Sequence, residues 1–153
     1  MPKARTDLTG AAGEYFVAAE LARRGYVAIL TLKNTQGLDI LATDPKTGQM
    51  ATIQVKTSRG TQRSWILRER PEADRRSQHF YVFVNLQTET EPPEYFVVPS
   101  RVVKHEISKS HRKWLAHTRL DGRKHKDTSM RKFTDKDGRF LNKWDSLWQK
   151  DAG

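Results

Sequence analysis

The chain contains no cysteine, which excludes a disulfide framework and any cysteine-ligated zinc site. It has no apolar run of the roughly 20 residues that a membrane-spanning helix needs. Its polar N-terminus lacks the pattern of a secretion signal. These absences lead to the expectation of a soluble, cytoplasmic protein with no membrane partner. Hydrophobic residues are also sparse, at 36% of 153, yet a chain of that length can hold one core. No internal repeat, low-complexity tract or second core is visible. The five histidines, His79, His105, His111, His117 and His125, show no ligand spacing, which argues against a zinc or histidine-based site.

Acid is in short supply. Lys and Arg number 28 against 18 Asp and Glu, for a net charge of +10. The excess is uneven: residues 100–153 carry 15 basic against 7 acidic side chains, and residues 1–99 carry 13 against 11. Such a surplus favours polyanionic partners. Lys104, Lys109, Arg112 and Lys113, then Arg119, Arg123, Lys124, Lys126, Arg131 and Lys132, form the main reservoir for sequence-independent phosphate contact. A plain solvated face is the alternative.

The local patterns imply one α/β domain. A helix is expected from about Asp7 to Arg24, capped by Thr6 or Asp7 and ended by Gly25. Tyr26 to Leu32 reads as a strand. Two further apolar-alternating arms flank the turn Asp44-Pro45-Lys46-Thr47-Gly48. The linker from Arg59 to Gln78 includes Trp65-Ile66-Leu67, read as a continuation of the third strand, and a short helix after Pro71. His79 to Leu86 is dense enough to be a strand buried on both faces, and Tyr95 to Val98 gives a last strand. Ser100 is placed to cap a basic helix reaching about His117. Residues 121–138 are polar and basic without a period. Phe140, Leu141, Trp144, Leu147 and Trp148 suggest a closing amphipathic helix. Trp114, Trp144 and Trp148 are expected in the core. The division is then a core over residues 1–99 and a basic helical extension over 100–153 packed on the same domain.

The hairpin holds the candidate site. If its loop is Pro45 to Gly48, Asp44 faces Gln49, and counting back along both arms sets Asp39 opposite Gln54. Side chains alternate along a strand, so Gln54 and Lys56 share one face while Ile53 and Val55 enter a core. A carboxylate, an amide and an ammonium thus converge on an otherwise apolar hairpin, where such groups are costly without partners or work.

With these residues the chain resembles the PD-(D/E)xK nuclease superfamily. That family has a helix, a three-stranded meander, a helix and a further strand. An Asp stands near the start of the second strand, and an acidic or amide residue, any residue, then Lys on the third. Here those are Asp39, Gln54 and Lys56, with Val55 between. Archaeal Holliday-junction resolvases and methyl-directed restriction endonucleases also carry a Glu on the first helix, matched by Glu14. Glu14 shares its helix face with the apolar Val17, Ala18 and Leu21. Leu38 replaces the family's proline before the Asp, and Gln54 stands where Glu or Asp is usual, as in Gln-x-Lys restriction nucleases. The resemblance covers about residues 8–86.

The resemblance implies a restriction-endonuclease-like α/β fold with a mixed sheet and a Mg²⁺- or Mn²⁺-dependent endodeoxyribonuclease. Asp39, the Gln54 side-chain oxygen and the Val55 carbonyl would hold the metal. Glu14 would hold a second ion or orient water, and Lys56 would position the nucleophile or stabilise developing charge. Asp44-Pro45-Lys46 repeats the short motif but belongs to the turn. Arg59, Arg63 and Arg68 follow the site and suit phosphate, as do Lys104, Arg112, Lys113, Lys124 and Lys126. Trp65 is expected in a core or lid, with stacking on a base as the alternative. DNA is the expected substrate, RNA stays open, and a homodimer is expected by analogy. The competing functions are a noncatalytic nucleic-acid-binding module on a nuclease-like fold and a protein-interaction subunit of a larger system.

Overall fold

The computed structural model describes residues 2–32, 37–68 and 78–149, with side chains from Asp7 onward. The chain opens on helix α1, Pro2–Arg23. It begins five residues before the expected cap, because nothing between Pro2 and Asp7 breaks a helix and proline is tolerated in the first turn. Its end is as the sequence implies. Gly25 takes φ +89, and the amides of Gly25 and Tyr26 donate to the carbonyls of Ala22 and Leu21.

Strands β1 (Val27–Leu30), β2 (Ile40–Thr43) and β3 (Met50–Ser58) follow. They form an antiparallel meander with Thr43 against Met50 and Ile40 against Ile53. The Asp44 amide donates to the Gln49 carbonyl and the Gly48 amide to the Asp44 carbonyl, with Gly48 at φ +75. The four-residue loop is therefore Pro45 to Gly48. Asp44 Oδ1 accepts the Lys46 amide at 2.9 Å, so that tripeptide is turn chemistry.

Strand β4 (Ser64–Leu67) does not continue β3. It leaves the main sheet and pairs antiparallel with a strand near the C-terminus. The short helix expected after Pro71 lies outside the described residues. Strand β5 (His79–Asn85) is buried throughout and runs parallel to β3, and β6 (Glu94–Pro99) runs antiparallel to β5. The result is a five-stranded mixed sheet in the order β1-β2-β3-β5-β6.

Helix α2 (Ser100–Ala116) starts at Ser100, but Pro99 occupies the cap position and no side chain caps the helix. Trp114 is 39% exposed, not core. Residues 121–138, read as aperiodic, contain strand β7 (Arg131–Thr134), the partner of β4. Four alternating residues with two charges carry too little hydrophobic pattern to be seen alone.

Two cores line the sheet. On one face Val17 and Leu21 of α1 pack on Ile40, Ala42, Ile53, Val55 and Val82. On the other, Val103 and Ile107 of α2 join Trp65, Leu67, Tyr81, Phe83, Phe96 and Phe133. The closing helix is not formed. Positive φ at Gly138 and Asn142 breaks it, and only a 3-10 turn, Trp144–Trp148, remains. The intervening chain runs along the free edge of β6, with the Val97 amide on the Phe140 carbonyl and the Asn142 amide on the Tyr95 carbonyl. Phe140 and Leu141 thereby join the α2-side core, while Trp144 and Leu147 join the α1 side. Covering the edge also removes a site for unwanted strand pairing.

Candidate active site

The site grows from the alternation of β3. Ala51, Ile53 and Val55 are buried toward α1, and Thr52, Gln54 and Lys56 are half-buried on the opposite face. Continuing the β2–β3 register by one pair from Ile40 and Ile53 sets Asp39 against Gln54. Backbone bonds fix Asp39 on both sides: its amide donates to the Ile53 carbonyl at 2.9 Å, and its carbonyl accepts the Thr31 amide at 3.0 Å. Its Oδ2 accepts the Val55 amide at 2.7 Å. That amide meets a side chain because β2 begins only at Ile40. In a strand the N–H and C=O of one residue point to the same neighbour. The Val55 carbonyl therefore also faces the Asp39 side.

Glu14 stands on the other layer. The residue before it, Gly13, is buried against Thr57, and a Cβ built on Gly13 would lie 1.8 Å from Thr57 Oγ1. α1 therefore comes close to β3 at this end of the strand. Glu14 arrives from the α1 face, whereas Gln54 and Lys56 alternate to the other, so hairpin and helix meet at the strand end from opposite sides. Glu14, Gln54 and Lys56 are all engaged by neighbours. No three His, Asp or Glu side chains converge among the described residues. A divalent cation at this hairpin would thus rely on Asp39 with neutral oxygens, the Gln54 amide and the Val55 carbonyl. All are hard donors of the kind Mg²⁺ takes.

Lys56 opens onto a cleft of 410 Å³ whose lining includes Ser58, Gln62, Ser64, Ile66 and Lys132. Lys132 reaches it through the β4–β7 pairing, a long-range contact that sequence spacing does not reveal. Along β5, Thr52 Oγ1 and the buried His79 Nδ1 lie 2.7 Å apart. Tyr81, paired in register with Gln54, is fully buried. Ligand spacing could not reveal His79, because its partner is a threonine 27 residues away.

The candidate phosphate-binding cations separate into two kinds. Arg63 is committed locally: its Nη2 lies 2.7 Å from Glu94 and its Nη1 donates to the Lys136 carbonyl at 3.1 Å. Arg59 Nε donates to Thr9 Oγ1 at 2.6 Å, which ties the end of β3 to α1. Arg68, Lys104, Arg112, Lys113, Lys124 and Lys126 are exposed. Trp65 is core, with its Nε1 donating to the Val84 carbonyl at 3.0 Å.

No protein family model matches the chain, and no curated protein matches it. Among solved structures it is similar to that of a bacterial homing endonuclease, I-Ssp6803I. The TM-score is 0.51 at 14% identity, over 93% of this chain and 92% of the other. At that identity the likeness is one of fold, and the fold is a nuclease-like one.

Proposed function

We propose that the chain is a metal-dependent endonuclease that hydrolyses DNA phosphodiester bonds with a Gln-x-Lys form of the PD-(D/E)xK site. The observation that carries this reading is the Asp39 carboxylate held on the Val55 amide at 2.7 Å, beside Gln54 and Lys56. The nuclease-like fold supports it, as does the net charge of +10.

The second carboxylate oxygen of Asp39, the Gln54 amide oxygen and the Val55 carbonyl would hold Mg²⁺ or Mn²⁺. The bound ion supplies Lewis acidity and lowers the pKa of water. Hydrolysis adds a water oxygen to phosphorus, breaks the bond to the departing strand and returns a proton to its oxygen. Lys56 is suited to stabilise the charge that grows on the phosphoryl oxygens. Glu14, on the α1 side, is suited to orienting water. The bonds that Asp39 makes with the Ile53 carbonyl and the Val55 amide hold its carboxylate in place.

A second reading is favoured by the lack, among the described residues, of any group of three His, Asp or Glu side chains able to hold a metal. The fold would then bind nucleic acid without turnover. Cleavage of supercoiled, linear and four-way-junction DNA with Mg²⁺ or Mn²⁺ separates the two. Metal-dependent cutting that disappears in Asp39→Ala and Lys56→Ala is the expected result. Binding without cutting, equal in all three proteins, would establish the noncatalytic module.

A further inference from the structure

We propose that the outer face of the β4–β7 ribbon enters the major groove of duplex DNA and gives the enzyme its base-sequence preference. This rests on the nuclease reading and names the element that would select the substrate.

The ribbon is built to present a face. Its inner residues Trp65, Leu67 and Phe133 are locked in the core, with the Trp65 indole hydrogen-bonded to Val84. Its outer residues pair Ser64 with Thr134 and Ile66 with Lys132. The hydroxyls of Ser64 and Thr134 lie 3.2 Å apart, and either can donate. Ile66 is 54% exposed, and Lys132 and Thr134 are exposed beside it. The ribbon thus carries hydroxyls, an ammonium and an aliphatic group, Ile66, which borders Trp114 and Met130. Base edges offer their counterparts: acceptors and donors, and the thymine methyl.

Size and charge agree. Four residues per strand give a ribbon about 13 Å long, and the major groove, about 12 Å wide, admits a two-stranded ribbon. Two clefts, of 410 and 490 Å³, flank the ribbon and share Gln62, Ser64 and Lys132. Lys136 lines the second, and among the described residues no Asp or Glu side chain lines either. The first cleft also includes Lys56. A duplex seated on the ribbon would therefore bring a phosphate to the candidate catalytic lysine. That continuity favours DNA over an acidic protein as the occupant.

The test selects bound sequences from a random duplex library with Ca²⁺ in place of Mg²⁺. The native chain is compared with Lys132→Ala, Thr134→Val and, as a phosphate-contact control, Arg112→Ala/Lys113→Ala. The native chain should enrich a motif. Lys132→Ala and Thr134→Val should each lose preference at particular base positions by about tenfold, with melting temperatures unchanged. The control should weaken binding to all sequences alike. The same motif with the same enrichment in the ribbon variants would overturn the proposal. So would a native chain that cuts DNA yet enriches nothing, a result that leaves the nuclease reading standing. A motif that depends on the ribbon, in a protein that no metal makes cut, would support the ribbon and remove the nuclease. A chain that binds no duplex would overturn the ribbon proposal alone, since cleavage of four-way-junction DNA tests the nuclease reading separately.

Discussion

The Asp39 carboxylate and the Val55 backbone amide, 16 residues apart, are joined by a 2.7 Å hydrogen bond. One oxygen of the candidate metal ligand is thereby spoken for, and the side chain is aimed by the backbone of the strand that carries Gln54 and Lys56. The charge and the hydrogen bond can be removed separately. Asp39→Asn keeps an oxygen acceptor for the Val55 amide and should unfold in urea within about 0.5 kcal/mol of the native protein. Asp39→Ala leaves that amide without its partner and should lose about 1–3 kcal/mol. Both should lose cleavage by at least about a hundredfold, since the charge is what a cation needs. An Asp39→Asn variant that cuts at the native rate would show that Asp39 serves only the hairpin.

The hairpin register that sets Asp39 opposite Gln54 was legible in the sequence, although the bond to the Val55 amide was not. Proline and glycine fixed the loop at Pro45 to Gly48, and period-two alternation carried the register back to Asp39 without any tertiary information. The uniformly apolar run of β5 and the glycine stop of α1 were legible for the same reason, as each is a local signal. What escaped was non-local. β7 has a recognisable partner only once Trp65 and Phe133 share a core, and the last turn fails as a helix because Phe140 and Trp144 are drawn to opposite faces of the sheet. Lys132 enters the neighbourhood of Lys56 through that same unseen pairing. Glu14 was legible as an acid on an apolar helix face, but its arrival from the opposite layer to Gln54 depends on how α1 lies over β3.

The close approach of α1 is set by Gly13. A methyl group there would meet Thr57 Oγ1 at 1.8 Å and the Thr57 Cβ and Cγ2 at 2.8 and 2.9 Å. Gly13→Ala should therefore push α1 away from β3 and destabilise the protein by about 1–3 kcal/mol, even though alanine is the better helix former. Thr57→Ala removes the two outer atoms, so the double variant should recover part of the loss. A double-mutant cycle in urea reads the coupling, and strictly additive effects would mean that the helix does not rest on Thr57.

Glu20 contributes to the acid limb of stability. It lies near the end of α1 with only a tenth of its side chain exposed, 2.7 Å from Arg23 and 3.0 Å from Arg24. The hydrogen bond from Arg23 leads the effects that hold its carboxyl below the usual carboxylate range, against a smaller opposing effect of burial. A lowered folded-state pKa means stability that is full above about pH 4.5 and is lost as pH falls through the folded value. Glu20→Gln should cost about 1–2 kcal/mol at pH 7 and converge with the native protein toward pH 3. Parallel melting curves at pH 7, 5 and 3 check this; a constant difference across the series would assign the loss to packing. The neighbouring Tyr95, pushed up to about 12 chiefly by burial, stays neutral throughout.

Gln54 offers the most informative change at the site, because it alters charge while preserving shape. In the proposed chemistry Asp39 is the one charged ligand on the hairpin, and Gln54 contributes a neutral oxygen beside it. Gln54→Glu would add a second carboxylate at the same reach, and divalent-cation affinity rises with ligand charge. The Mg²⁺ concentration for half-maximal cleavage should then fall by about tenfold, equivalent to about 1.4 kcal/mol of metal binding. In the absence of metal the two carboxylates repel, so the same variant should melt lower in EDTA and regain its stability as Mg²⁺ is added. Metal-dependent melting makes the test independent of turnover. It separates a cation site from a polar strand in which Lys56 merely neutralises the added charge: in that case Gln54→Glu would be stabilised by Lys56 at once, and EDTA would change nothing.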